Sequence, residues 1–477
     1  MKGDFTRDTF NPSKHYSRVM LQQGRVQLDA DWNEQSAIVL HYLRALSRDI
    51  IGAHGGPADG SGFEIVTDPT KIRGTDGKLL AGTDPRVIEL KPKILDARDF
   101  VINPGHYYVQ GILIENEFPI AFTEQLGIGP DAPNEVKALP YLIYLDVWER
   151  HITYVEDDRI REVALGGPDT ASRAQIVWQV KLFKQGQEGD PPPCNATDAL
   201  PQLGTGKLRA RAKQDAAQTD LCVIPPDSRY RGPENQLYRV EIHRGGNADG
   251  TPNGATFKWS RENGSVLFPV LEVNIVNGTQ VSVRLVNLGR DQRLGLIEGN
   301  WVEIADDNSV LQNRWDPLLR VAKIDREQLR VTLEGTTSVT NAGKNKLLRR
   351  WDHQGDPAKF GGALQVVEHP RDSADVDWTQ LEDGVQIRFD KLPNAAVYNT
   401  GDYWLIPART ATGDVEWPHE LAPDGSEKLD ASSNPIPAAV AVNGPRHYYA
   451  PLAGRSAQGL SECRCRLAPL ADCPKTT

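Results

Sequence analysis

Early in the chain the apolar positions recur at helical spacing. Trp32, Val39, Leu43, Leu46 and Ile50 follow one another at intervals of seven, four, three and four, which puts them on one stripe of a helix. His41, Arg44 and Arg48 lie off that stripe, and Gly52 supplies the residue type that ends a helix. Asp31 with Glu34 three residues on predicts a capping box at the start. The spacing predicts first an ordinary amphipathic helix packed on its own sheet; it also fits an a/d seam, under three heptads long, that meets a helix of another subunit. Ahead of it, Val19 to Leu28 predicts an extended arm.

After the Gly- and Pro-rich stretch 52–62 the pattern changes to short β-branched and aromatic runs bounded by turn residues. Residues 86–90, 99–102, 107–114 and 141–148 are such runs, with Asn103-Pro104-Gly105 as a turn between two of them. Residues 176–183 alternate, the period of a strand with one buried face. Residues 184–232, with Pro191-Pro-Pro193 and few large apolar side chains, predict a linker or insertion whose interior helix, if any, covers 207–218. Strand patterns resume at 237–243, 255–259 and 265–268, the last two flanking Asn263-Gly264, a pair suited to a tight hairpin. Runs at 281–286, 300–304, 319–324 and 329–333 then predict a small barrel or sandwich.

The fold class that follows is mainly β: several linked small β-barrel or sandwich modules behind an N-terminal extended arm and amphipathic helix. The boundaries are 1–62 for the arm and helix, 63–183 for the first β module and 184–232 for the linker. The second β module takes 233–345, the third 346–455, and a cysteine-containing tail 456–477.

Length supports that division, because 477 residues exceed what one core organises. The abundance of Gly (42) and Pro (33) suits many turns. A net charge of −10 supplies no basic field for phosphate backbones or anionic lipid, so neither nucleic acid nor membrane insertion is expected. The polar start, Met1 to Asp8, lacks a secretory apolar run and places synthesis in the cytoplasm. Five cysteines, Cys194, Cys222, Cys463, Cys465 and Cys473, are too sparse for a disulfide framework and are expected to be reduced.

The chemistry-bearing motifs are missing. Neither a Gly-x-Ser-x-Gly elbow nor a phosphate-cradling Gly-x4-Gly-Lys-Ser/Thr loop occurs, and the histidines are scattered singly. Cys463, Cys465 and Cys473 offer three soft ligands without a fourth, so no metal and no cofactor are expected. The most crowded acids, Glu149, Glu156, Asp157 and Asp158 beside Trp148 and Tyr154, read as solvated loop charges; a glycosidase needs two carboxylates and aromatic platforms. That requirement, with ten tryptophans, keeps a carbohydrate-binding or carbohydrate-active protein as the alternative function. No catalytic residue is assigned.

The string Leu21-Gln-Gln-Gly-Arg-Val-Gln-Leu-Asp-Ala-Asp-Trp-Asn-Glu34, with Lys2 to Pro12 ahead of it, resembles an uncharacterised family encoded near phage-tail-like contractile injection systems. Residues 165–173 leading into 177–180, and the segments 230–243, 257–264 and 444–452, extend the resemblance over nearly the whole chain. It implies a structural subunit of a tail-like particle, and the layout of an N-terminal arm and helix ahead of linked β modules suits a peripheral baseplate, cage or fibre position. The implied partners are other subunits of that particle and further copies of the chain, as trimer or hexamer. Assembly would be cytoplasmic, with release by lysis. In that setting Trp32, Val39, Leu43, Leu46 and Ile50 are the candidate docking residues.

Overall fold

The computed structural model describes residues 1–58, 61–96, 98–167, 169–184, 193–213, 229–248, 251, 253–291, 293–356, 359–371, 377–430 and 433–467. The chain falls into two compact units, each assembled from stretches distant in sequence. One comprises 1–8, 151–173 and 203–445; the other comprises 9–150, 174–202 and 446–477. The boundaries of these units are therefore not the consecutive ones drawn from the sequence, and the expected arm-and-helix segment 1–62 is divided after Asp8.

The first unit is built on a closed six-stranded barrel. Its strands Leu267–Asn277, Gln280–Leu285, Arg330–Glu334, Leu319–Asp325, Trp301–Ala305 and Leu347–Trp351 pair in that spatial order. Val281, Val283 and Leu285 point inward while Gln280, Ser282 and Arg284 are half-exposed, so period-two patterning fills the barrel. Beside it, strands Gln236–Arg244, Thr256–Ser260 and Tyr403–Arg409 form the centre of one sheet, and Lys207–Ala212 with Val385–Asp390 the centre of another. Tyr238, Phe257, Trp259, Phe389 and Trp404 fill the core they share. The expectation of a helix over 207–218 is corrected where it is described: 207–212 is a strand registered against Val385–Phe389, and 214–218 lie outside the described residues. Asn263 and Gly264 do take left-handed φ values of 51° and 64°, as a tight turn requires. Yet Thr256–Ser260 and Leu267–Asn277 pair with other strands, so the turn connects a sheet to the barrel and closes no hairpin.

The second unit carries the long helix α1, Asp29–Ile51, and the shorter helix α2, Pro85–Leu95. α2 corrects the strand expected at 86–90. Asp84 caps it by accepting from the Arg86 N–H, Pro85 occupies the first turn, and Val87, Leu90 and Ile94 are buried at spacings of three and four. A four-stranded sheet orders Gly459–Glu462, His447–Ser456, Tyr141–Ile152 and Arg173–Phe183. A second orders Arg466–Leu467, His54–Pro57, Gly105–Val109 and Ile112–Asn116. Phe63, Phe100, Tyr107, Tyr141, Leu145 and Leu452 belong to the main core. The edge strand Arg173–Phe183 departs from the one-sided burial expected of it. Gln179 and Val180, adjacent and on opposite faces, are both buried, and the Gln125 side-chain amide bonds both the N–H and the C=O of Val180 at 2.7 and 3.0 Å.

Cys194 and Cys463 form a disulfide in this unit, which corrects the expectation of reduced thiols for this pair. The fold brings their Cα atoms to 5.5 Å, inside the range a disulfide spans, across 269 residues of sequence. Cys465 is a free, exposed thiol, and Cys222 and Cys473 lie outside the described residues. Among the described residues no helix is long and apolar enough to cross a membrane.

Candidate docking surface

α1 has two faces of opposite character. The inner one buries Ala30 and Ile38 and is fastened at Arg44, whose guanidinium pairs with Glu149 on strand Tyr141–Ile152 at 2.9 Å. The backbone comes as close as the side chains do. A Cβ at Gly111 would stand 2.3 Å from the Arg44 carbonyl oxygen, and Gly111 has φ +77°, so two constraints require glycine there. The helix ends at Gly52, whose N–H bonds to the Arg48 carbonyl. At the other end Asp31 accepts the Leu28 N–H at 3.0 Å, but Glu34 does not close the expected box and accepts the Thr9 hydroxyl at 2.6 Å instead.

That contact belongs to a set that lays the arm along the helix. The Val19 N–H donates to the Gln35 side chain at 2.8 Å, and the Phe10 ring packs against His41 at 5.7 Å between centroids. The rest of the arm stands in solvent, with Tyr16, Met20, Leu21, Val26 and Leu28 all exposed.

The outer face of α1 holds every candidate docking residue. Trp32, Val39, Leu43, Leu46 and Ile50 are between 47% and 65% exposed, and Leu40 and Tyr42 beside them are exposed too. At 100° per residue these positions centre on the side of the helix opposite Ala30 and Ile38. Ser36 and Ser47 complete this face between Trp32 and Ile50, and its charged residues, Asp29 and Asp49, stand at the two ends of the helix. The stripe visible in the sequence is thus the face turned away from the helix's own unit. The packing face, with Ala30, Glu34, Ile38 and Arg44, is the less apolar of the two.

The other candidates resolve into local structure. Glu156 accepts the N–H and hydroxyl of Thr153 at 2.9 and 2.6 Å. Asp157 caps the short helix Asp158–Ile160 and pairs with Arg159 at 2.9 Å, while Asp158 pairs with Arg161 at 3.1 Å. With Glu149 on Arg44, each crowded acid is engaged by a near neighbour. Of the ten tryptophans behind a sugar-binding alternative, Trp148, Trp259, Trp301, Trp351, Trp404 and Trp417 are buried and pack the interior, whereas Trp32 and Trp315 are exposed. Among the described residues no group of three or more His, Cys, Asp or Glu side chains is placed to hold a metal ion. Burial holds His243 and His353 neutral, with pKa values lowered to about 3 and about 4.

A surface cleft of about 670 Å³ in the second unit is lined by Leu80, Arg86, Asn116, Phe118, Pro119 and Trp178. Three of its polar groups bond within the protein: Arg86 donates to the Pro119 carbonyl and to Glu89, Asn116 to the carbonyls of Ile102 and Asn103, and Trp178 to the Glu115 carbonyl; Thr75 and Glu117 on the rim are exposed.

One feature of the first unit was not anticipated from sequence. Lys2 reaches Glu241 at 2.9 Å, Arg239 meets the same carboxylate at 2.6 Å, and Lys258 bridges Glu303 at 2.6 Å and Glu241 at 3.5 Å. Burial alone would raise the Glu241 carboxyl, but the charges of Lys2, Arg239 and Lys258 override it and hold the pKa at about 2. The network, with Arg7–Glu416 at 2.9 Å and Arg409 on the Thr6 carbonyl, fixes residues 1–8 in this unit.

The chain matches a family of unknown function (DUF6519) over residues 1–191 and 193–476. No curated protein and no solved structure matches it.

Proposed function

We propose that this chain, which belongs to the DUF6519 family of unknown function, is a structural subunit of a phage-tail-like contractile injection particle, docking at a peripheral baseplate, cage or fibre position. The observation that carries the docking half of this reading is the apolar outer face of α1 between Trp32 and Ile50, left in water by a helix whose opposite face already packs. Burying an aliphatic side chain is worth roughly 1.5–3 kcal/mol, so Val39, Leu43 and Leu46 together hold enough to decide an association. The local engagement of the crowded acids supports a binding role over a catalytic one. The tail-like particle itself rests on the resemblance of residues 2–12 and 21–34. The Cys194–Cys463 disulfide suits a chain whose working place lies outside the reducing cytosol, as that of a particle assembled inside the cell and released by lysis does.

The test is incorporation. Particles purified from cells expressing the wild-type chain are expected to contain it, and particles from cells expressing the Leu43→Glu, Leu46→Glu double variant to lack it. The purified variant should melt like the wild type, because both positions are exposed. A wild-type chain missing from particles, or a variant that incorporates normally, overturns the reading.

A further inference from the structure

We propose that the occupant of the outer face of α1 is α1 of another copy of this chain, the helices pairing as a short coiled coil along Trp32 to Ile50. This names the partner for the docking surface and rests on that reading. The spacing identifies the occupant as a helix. Positions 32, 36, 39, 43, 46 and 50 alternate by four and three throughout, the a/d order of a heptad seam, with Ser36, Leu43 and Ile50 at a and Trp32, Val39 and Leu46 at d.

The flanking positions identify it as a copy. Coiled coils choose unlike partners through charges at e and g. Here those positions are Asn33, Leu40 and Ser47 on one side and Gln35, Tyr42 and Asp49 on the other, with a single charge at the last turn. Between Trp32 and Ile50 an identical helix meets a like charge at Asp49 alone, and Asp29 stands ahead of the seam in the first turn. An unlike partner would find no row of charge to select it, whereas an identical helix finds apolar residues opposite apolar residues.

Two further details remove the usual costs. The Ser36 hydroxyl donates to the Trp32 carbonyl at 3.1 Å, so it enters a dry seam already satisfied. Ile38 and the Arg44–Glu149 pair hold α1 helical before any partner arrives, so pairing does not have to order the helix, the step that makes short isolated helices marginal.

Sedimentation equilibrium of the full-length protein over a concentration series reads the outcome. The wild type is expected to associate reversibly, and Leu43→Glu with Leu46→Glu to weaken association by at least about 100-fold. Ser36→Glu, which sets like charges face to face at an a position, is expected to do the same with no apolar residue removed, and circular dichroism melts verify that both variants are folded. A wild type that is monomeric throughout overturns self-pairing, as does association that survives both variants. The docking reading fails separately. A double variant that is monomeric yet incorporated into particles overturns docking and leaves self-pairing standing. A wild type that is monomeric, with a double variant excluded from particles, does the reverse.

Discussion

Arg44 and Glu149 form a two-pronged ion pair, Nη2 to Oε1 at 2.9 Å and Nη1 to Oε2 at 3.3 Å, between α1 and strand Tyr141–Ile152. Because Arg44 sits one residue after Leu43, the same turn of helix is fastened on one side and open on the other. The pair is half-buried, so its worth lies near the upper end for partly solvated pairs, at about 1 kcal/mol.

Glu149→Gln is therefore expected to loosen α1 without unfolding its unit. Hydrogen exchange should speed up at the α1 amides around Arg44 by about fivefold, the factor that about 1 kcal/mol produces, while amides of the central strands keep their protection. Ile38→Ala gives the contrasting case. A fully buried side chain is truncated, and the loss is expected to reach roughly 2–4 kcal/mol in denaturant unfolding. Unchanged exchange in the first variant would mean that Ile38 and the close Gly111 contact hold the helix unaided.

The disulfide gives a chemical prediction. Peptide mapping without reductant should yield a Cys194–Cys463 crosslinked pair and a Cys465 that alkylates freely. Linking residues 269 apart restricts the unfolded chain by an amount worth up to about 5 kcal/mol in the chain-entropy model. Cys463→Ser should accordingly lower the melting temperature of the second unit, and reduction of the wild type should reproduce the drop.

The barrel was legible in sequence where its strands bury one side only. Val281, Val283 and Leu285 alternate with Ser282 and Arg284, and Val331 and Leu333 with Thr332, so period two shows directly. Strands buried on both faces carry no such signal. All five residues of Thr256–Ser260 and of Leu347–Trp351 are buried, charged ones included, and the ionic network built on Lys258 and Arg349 was invisible for that reason. At 86–90 the β-branched residues suggested a strand, although Asp84-Pro85 and the spacing of Val87, Leu90 and Ile94 held the helical signal. The apolar stripe of α1 was legible as a stripe, but not its direction. Small residues and an ion pair suffice for the inner face, so the more apolar face is the outer one. The Cys194–Cys463 contact and the discontinuous units depend on chain returns over hundreds of residues, which no local pattern encodes.

Asp402 predicts a pH dependence. It is almost fully buried, accepts the Asn399 N–H at 2.8 Å, and burial raises its pKa from 3.8 to about 7. A carboxyl whose folded pKa lies above its unfolded value keeps its proton in the native state while the unfolded chain releases it. Its contribution is thus favourable at low pH and is lost as pH rises from about 4 to about 7, by roughly 4 kcal/mol over that window. Asp402→Asn keeps the shape of the protonated acid and should flatten that decline, making the variant the more stable form at pH 7. Denaturant unfolding at several pH values measures it, and parallel curves for the two proteins would show that Asp402 does not titrate as described.

Glu303 predicts the opposite slope at lower pH. Its carboxylate accepts from Lys258 Nζ at 2.6 Å and from Trp351 Nε1 at 2.9 Å; burial would raise its pKa, but the charges of Lys258 and Lys2 hold it well below 4.5. With Glu241 it is one of two anions facing Lys2, Arg239, Lys258 and Arg349. Glu303→Gln preserves size and removes charge, leaving Lys258 with Glu241 at 3.5 Å among three further cations. Breaking one side of a buried pair costs roughly 3–5 kcal/mol, most of it from the charge left behind. The loss should appear at neutral pH. Because depressed carboxyls contribute above their unfolded pKa and lose that contribution as pH falls through the folded one, wild type and variant should converge in acid. Adding Lys258→Met to Glu303→Gln removes the stranded cation and should restore part of the stability. If the double variant is no better than the single one, the stranded Lys258 charge is not the source of the cost.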